Sequence, residues 1–190
     1  MKRTVGLVAV LSLSLTLGGC AQSNMLPTAT PTPTLTKVTG AKAMSDFKAI
    51  VDASMALGDK DGLTQTTNNS KYGLYTLVLD RSYSDSYQAA VQNPDGSVEI
   101  IYEADAFSPY GASTSLTTGG TTVEELGNQF TVTEDIEGSP AVFVYTVQNG
   151  VIVREEYTDA TNVTVTSDLL YTVTPLNLQI LKKAIAGLDQ

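Results

Sequence analysis

The sequence contains no histidine and no tryptophan, and it has a single cysteine among its 190 residues. Ser-His-Asp and Cys-His nucleophiles, the usual zinc and copper sites, haem ligation through histidine and a histidine general base all need residues that are missing here. We therefore expect a protein that is not an enzyme and that carries no cofactor or metal.

Basic residues are also scarce, with 11 Lys and Arg against 20 Asp and Glu and a net charge of -9. A surface of this sign is repelled by phosphate backbones and by anionic bilayers, so we expect no nucleic-acid partner. Any contact with a membrane has to come from an anchor. The hydrophobic content of 42% is nevertheless that of a folded domain and not of a disordered chain.

The first residues have the pattern of a secretory signal sequence. Lys2 and Arg3 supply a positive segment, and the run from Val5 to Leu17 carries no charge. The run is shorter than the roughly 20 apolar residues that a transmembrane helix needs. We therefore predict that residues 1–19 are a signal peptide and not part of the folded domain.

The only cysteine follows this run, in the sequence Leu17-Gly18-Gly19-Cys20. An aliphatic residue and two small residues directly before a cysteine resemble the lipobox of bacterial lipoproteins. The resemblance implies that Cys20 becomes the first residue of the mature chain and carries a diacylglyceryl group on its thiol. The alternative is a buried or reactive thiol behind an ordinary signal peptide.

A lipidated Cys20 would decide where the protein is located. Each methylene group of an acyl chain that is buried in the membrane contributes about 0.8 kcal/mol to membrane binding. Two or more acyl chains therefore form a stable anchor. We expect the protein on the extracytoplasmic face of the cell membrane, with the membrane as its partner through this anchor. Ala21 is not the aspartate that serves as a retention signal in diderm bacteria, so an outer-membrane location is also open.

The segment after the cysteine has a composition of its own. It contains "LPTATPTPTLTKVTG", which alternates Thr and Pro and includes no aromatic residue. Such a segment forms an extended spacer without a core. We predict a flexible tether over residues 20–40 and a single domain over residues 41–190.

The periodicity of the remaining chain predicts helices at both ends of this domain. Apolar residues at spacings of three and four indicate a helix from Ala41 to Leu57, ended by Gly58. A last helix follows Thr174, with Pro175 at its first position. Alternating strands lie between them, with turns at "NPDG" and "QNGV". The expected fold is α+β, a curved, half-barrel-like antiparallel sheet with both helices packed on one face.

One long polar stretch interrupts the strands. Ser108 to Thr122 reads "SPYGASTSLTTGGTT", which is rich in Gly, Ser and Thr. It is too long for a simple hairpin turn, so we predict a mobile loop or lid.

Four short motifs carry polar groups that could do chemistry. Ser45 to Lys48 has the form S-x-x-K, but the partner motifs of that enzyme class are missing. Asp59 to Thr64 begins like a calcium loop, but the twelfth position of that loop is not a glutamate. The carboxylates of Thr133–Asp135 and Arg154–Glu156 fit a solvated strand face better than an acid/base pair.

The order of lipobox, spacer, amphipathic helix and a run of strands ending in "TVQNGVIVREEYTDATNVTVTSDLLYTV" is similar to that of the half-barrel lipid-carrier lipoproteins of actinobacteria. It also resembles the periplasmic carrier fold of lipoprotein sorting. The short chain and the helix after the last strand depart from this pattern. The resemblance implies a curved sheet whose concave face, partly covered by helices, shelters lipid tails.

An apolar cavity of this kind binds tails by burial, at about 25 cal/mol per Å². Chosen by face and size, the residues expected to line it are Phe47, Val51, Met55, Leu77, Ile100, Tyr102, Val144, Leu169 and Tyr171. If side chains of the sheet fill that space, the same residues form an ordinary core.

Two functional hypotheses follow, and a third, an enzyme, is disfavoured by the absence of histidine and of a second cysteine and would need a tight carboxylate pair in a cleft. The first is a membrane-anchored extracytoplasmic lipoprotein that binds or carries a lipid or another amphiphile in an apolar cavity. The second is a non-enzymatic interaction or structural module of the cell envelope with a filled core. The sequence leaves open the ligand, any protein partner, the strand order and the oligomeric state.

Overall fold

The structure is a computed structural model that describes residues 35–81, 89–102, 104–117, 119–136, 138–159 and 161–187. The predicted signal peptide, the predicted lipobox with Cys20 and most of the predicted tether lie outside the described residues. Within the described ranges, no helix has both the length and the apolar character needed to cross a membrane.

The described chain forms an antiparallel sheet and three α-helices, which confirms the predicted α+β class. The helices are α1 (Ala41–Asp61), α2 (Ser108–Thr117) and α3 (Pro175–Ala186), and a short 3-10 turn at Ala104–Ala106 precedes α2. The strands are β1 (Lys37–Thr39), β2 (Leu63–Asn69), β3 (Gly73–Leu79), β4 (Ala89–Gln92), β5 (Val98–Ile101), β6 (Thr122–Leu126), β7 (Gln129–Ile136), β8 (Ser139–Gln148), β9 (Val151–Thr158) and β10 (Thr164–Leu170).

These ten described strands form one open sheet in the order β1-β6-β7-β8-β9-β10-β2-β3-β4-β5. Two hairpin runs, β2 to β5 and β6 to β10, are joined in the middle of the sheet, where β10 pairs with β2. The chain crosses between the two runs through α2. The central pair therefore comes from distant parts of the sequence, which hairpin patterns alone do not predict.

The packing around α1 requires the sheet to curve. Val123 of β6 and Ala89 of β4 belong to the same buried cluster as Phe47 of α1. Strands lie roughly 4.8 Å apart, so a flat sheet would separate β6 and β4 by roughly 34 Å. A helix with its side chains is only about 10–12 Å wide. Helix α2 belongs to the same cluster, and even two helices side by side are narrower than this distance. The sheet therefore curls around α1 and α2, and we call the face toward α1 the inner face.

The two end helices lie against opposite faces of the sheet. Leu77 and Leu79 of β3 belong to the cluster around α1, whereas Val78 between them packs in a second cluster with Ile180 and Leu181 of α3. Successive residues of a strand point to opposite faces. This differs from the expected placement of both helices on one face. The apolar stripe of α3 matches the outer face of β3, β4 and β5, which is apolar as well.

Helix α1 is longer than predicted, because Gly58 is accommodated inside it. The helix instead ends at Asp61, before Gly62, whose φ is +81° and whose N–H donates to the Gly58 carbonyl at 3.0 Å. A Cβ on Gly62 would lie 2.5 Å from the side chain of Val173. Both the backbone conformation and the space therefore favour glycine at position 62.

The end of the predicted tether takes part in the sheet. Lys37 to Thr39 pair with β6 as an edge strand, with Val38 opposite Glu125. Lys37 also makes an ion pair with Glu124 at 2.8 Å. The described domain therefore includes this short strand before α1.

Candidate functional site

Aromatic side chains fill the centre of the inner face. The ring of Phe47 on α1 lies 5.3 Å from that of Phe130 and 5.0 Å from that of Tyr145. Val51, Leu77 and Leu169 are buried in the same cluster. Four of the residues expected to line a cavity, Phe47 among them, are thus packed core residues at the place where we expected open space.

The other five residues of the expected lining are spread over several places. Met55 and Tyr171 are partly buried at the border of the inner cluster, and Val144 is half-buried and belongs to neither cluster. Ile100 packs on the outer face with α3, and Tyr102 is 69% exposed. Met55 and Tyr102 do meet at one surface cleft of about 360 Å³.

A larger and more apolar cleft lies where α1 begins. It has a volume of about 510 Å³ between the start of α1, the edge strand β1 and β6. Met44 and Val123 supply its apolar surface, and Glu124 lies at its border, in its ion pair with Lys37. Sequence reasoning did not find this cleft, because it depends on the pairing of β1 with β6.

A β-bulge in the pair β8·β9 sets which side chains of β9 point inward. Tyr145 pairs with Glu155, but Val147 pairs with Ile152, so one extra residue of β9 lies between these pairs. Ile152 and Glu155 consequently both point to the inner face. Arg154 points outward, where it pairs with Glu156 at 2.8 Å and with Asp168 at 3.0 Å.

Glu155 begins a row of polar residues across the inner face. Successive cross-strand neighbours are Glu155, Ser167, Thr67 and Tyr75, on β9, β10, β2 and β3, and we call these four residues the polar row. The hydroxyls of Thr67 and Ser167 are 3.0 Å apart. Burial raises the pKa of Tyr75, a hydrogen bond with Thr67 lowers it and the charge of Glu155 raises it.

Gln65 connects the polar row to α2. Its side-chain carbonyl accepts from the backbone N–H of Ser108 at 2.8 Å and from the Ser108 hydroxyl at 3.1 Å. Its amide nitrogen donates to the carbonyl of Ala106 at 3.3 Å. Gln65 is only 3% exposed, so these bonds satisfy a buried amide and hold the first turn of α2 against the sheet.

The segment predicted as a mobile loop is therefore largely helical. Ser, Thr and Gly have modest or poor helix propensity, so the sequence favours a loop here. In the fold, Phe107, Tyr110 and Ala112 are buried, and Gln65 binds the helix start. These contacts between distant residues outweigh the local preference.

A cavity of about 220 Å³ remains between α2 and the polar row. Its wall includes Glu155, Tyr75 and Ser167 from the sheet and Ser108 and Ser115 from α2. Burial raises the pKa of Glu155, hydrogen bonding with the Ser108 side chain lowers it and the neighbouring charge of Glu134 raises it. Sequence alternation alone did not indicate that an acidic residue of "REE" would face this space.

The motif that resembles a calcium loop forms a different arrangement. Asp59 accepts a hydrogen bond from the hydroxyl of Tyr110 and makes an ion pair with Arg81 at 2.9 Å. Burial and the carboxylate of Asp59 together raise the pKa of Tyr110. Asp59 thus links α1 to α2, and the described residues contain no group of three or more possible metal ligands of the His, Cys, Asp or Glu type.

The S-x-x-K motif lies on the solvent side of α1. Ser45 and Lys48 are exposed, and Lys48 makes an ion pair with Asp52 at 2.7 Å. This is the polar helix face that the sequence favoured over a catalytic pair.

No known protein family matches the sequence, and no curated protein is found that resembles it in sequence.

Proposed function

We propose that this protein is a membrane-anchored extracytoplasmic lipoprotein that binds or carries an amphiphile. The observation that carries this proposal is the cleft of about 510 Å³ between α1, β1 and β6. Small-molecule sites commonly have volumes of about 300–1,000 Å³ and largely apolar walls. The tail of the amphiphile would lie against Met44 and Val123.

The position of the cleft suits a ligand with a polar head. Lys37 and Glu124 make their ion pair at its border, where they can bind a zwitterionic or hydroxylated head group. The cleft is also formed by β1, the strand at the end of the predicted tether. An anchor at Cys20 would keep this end of the domain close to a source of lipid.

The proposal is tested on the full chain, expressed in a bacterium and purified from its membranes in a mild detergent. Native mass spectrometry is expected to show a non-covalently bound lipid in stoichiometric amount, in addition to any covalent anchor. Extraction with organic solvent, followed by lipid analysis, then gives its class.

Met44→Trp fills the cleft, and Ala49→Trp places the same side chain on the exposed face of α1 as a matched control. We expect Met44→Trp to lose the bound lipid and Ala49→Trp to retain it. An equal lipid content in both variants, or a protein without bound lipid that takes up none from added micelles, would overturn the proposal.

A second candidate function is an interaction or structural module of the cell envelope, without a carried ligand. The packing of Phe47 against Phe130 and Tyr145 favours it, because the centre of the inner face is filled. Such a module would act through its surface. A protein free of lipid that cross-links in living cells to one envelope component would support this function over the first.

A further inference from the structure

The cavity under α2 combines acidic, hydroxyl and aromatic groups, and it is separate from the cleft used above. Its acidic residues are Asp105 and Glu155, and no Lys or Arg lines it. A volume of about 220 Å³ corresponds to the space of about seven water molecules in the liquid.

Glu155 presents a carboxylate to this space without a positive partner. The ion pairs among the described residues do not include Glu155, and the neighbouring Arg154 pairs on the opposite face with Glu156 and Asp168. Removing a charged carboxylate from water is unfavourable unless it is paired and hydrogen-bonded. A cation bound in the cavity would supply the missing partner.

A second carboxyl on the inner face also favours a positively charged ligand. Glu134 of β7 is only 9% exposed, and its Oε1 atom has no hydrogen-bond partner among the described residues. Its charge acts on both Glu155 and Tyr145, which line the cavity. Buried polar atoms nearly always have partners, so an unpartnered carboxylate oxygen indicates a missing donor.

Aromatic rings complete the environment of a cation. The ring of Phe143 stacks on that of Tyr157 at 4.6 Å, and Tyr145 lies beside it at 6.4 Å. Faces of such rings attract ammonium groups. The hydroxyls of Ser108, Ser167 and Tyr75 can accept the remaining N–H bonds of a primary ammonium group.

We propose that the cavity between α2 and the polar row binds a small organic amine, with its ammonium group on Glu155 and a second amino group, where present, toward Glu134. The site does not depend on amphiphile binding. A short diamine fits the volume, with one ammonium group on Glu155 and the second extending toward Glu134, which lies on the inner face outside the cavity wall.

Isothermal titration calorimetry on the full chain tests this inference, with 1,4-diaminobutane, butylamine and 1-butanol as probes at neutral pH. We expect saturable binding of one diaminobutane, weaker binding of butylamine and none of butanol. The Glu155→Gln substitution is expected to weaken the binding of diaminobutane at least tenfold. Glu156→Gln removes the same charge from the outer face of the same strand and is expected to leave the affinity unchanged.

Ser115→Leu provides a second variant, because it narrows the cavity without altering any charge. We expect it to abolish diamine binding while circular dichroism still shows a folded protein. An equal loss of affinity in Glu155→Gln and Glu156→Gln would mean that the diamine is attracted only by the overall negative charge of the protein surface. That result, or the absence of saturable binding to the unaltered protein, would overturn the inference.

Discussion

The hydroxyl of Ser54 on α1 accepts the backbone N–H of Ile152 on β9 at 3.0 Å. The Ser54 hydroxyl also donates to the Ile50 carbonyl of its own helix at 2.7 Å. Ile152 adjoins the β-bulge, and the hydroxyl of Tyr171 donates to its carbonyl at 2.7 Å. Side chains of α1 and of the residue that follows β10 therefore satisfy backbone groups at the point where the sheet is irregular.

We predict that Ser54→Ala lowers the free energy of unfolding by about 1–3 kcal/mol, because it leaves a buried N–H without an acceptor. Urea unfolding of the full chain measures this change. Ser45→Ala, on the exposed face of the same helix, serves as the control and should stay within about 0.5 kcal/mol of the unaltered protein. Equal effects of the two substitutions would show that the bond to Ile152 contributes no stability.

The class of the fold could be predicted because its signals are local. Periodicity located α1 and α3, and Thr174 does accept a hydrogen bond from the N–H of Asn177 at the start of α3. The face of the sheet on which each residue lies, in contrast, depends on contacts between residues that are distant in the sequence. Val78 and Leu77 are both apolar, and only the tertiary packing assigns them to different clusters.

The candidate sites were harder to predict for the same reason. The inward direction of Glu155 depends on the bulge in β9, and the helix α2 depends on Gln65, which lies 43 positions before Ser108. Neither relation leaves a pattern in the neighbouring sequence. Apolar character was sufficient to select Phe47 and Leu169 as inner residues but could not show whether they surround a space or fill it.

We predict that Gln65→Ala loosens α2 more than the rest of the domain. The substitution removes the acceptor of the Ser108 N–H and the donor to Ala106 together. Hydrogen exchange of the full chain, followed by mass spectrometry, should show faster exchange in peptides covering residues 104–117 than in peptides of β7 and β8. The Gln148→Ala variant, which is altered at an exposed position, should show the same hydrogen-exchange rates as the unaltered protein. Uniform acceleration in all peptides would contradict a specific role of Gln65 in holding α2.

Glu155 provides a prediction about pH. Burial raises the pKa of Glu155 in the folded protein, above the value of about 4.3 in an unfolded chain. The stability linked to its neutral form is complete below pH 4.3 and is lost as the pH rises through the folded pKa. A Glu155→Gln variant has no titrating carboxyl at this position, so it does not lose stability in this way as the pH rises. The stability of the variant relative to the unaltered protein should therefore increase from pH 4 to pH 7.

Urea unfolding at several pH values measures this difference. Glu156→Gln is the matched control, since Glu156 is exposed and pairs with Arg154. Its relative stability should show no increase with pH. A Glu155→Gln variant whose relative stability stays constant between pH 4 and pH 7 would mean that the carboxyl is well solvated in the folded state.

Cys20 gives a prediction about location. If the Leu17–Cys20 tetrad directs lipidation, Cys20→Ser should move the protein from the detergent phase to the aqueous phase in a detergent phase partition. Intact mass spectrometry of the unaltered protein should show cleavage before Cys20 and the added mass of a diacylglyceryl group. Ser23→Ala, three residues further along, should change neither result. A free thiol on an unaltered protein that already partitions into water would exclude the anchor.

Phe47 distinguishes a filled core from a cavity wall. Its side chain is fully buried, with the rings of Phe130 and Tyr145 at 5.3 and 5.0 Å. If these rings are permanent neighbours, Phe47→Ala removes packing on all sides and should lower the free energy of unfolding by about 3–5 kcal/mol. Tyr72→Ala, at a side chain that is 64% exposed, should change it by less than about 0.5 kcal/mol. A small effect of Phe47→Ala, together with an increase in bound lipid, would instead mean that the centre opens to accept a ligand and that the cleft beside Met44 is only its entrance.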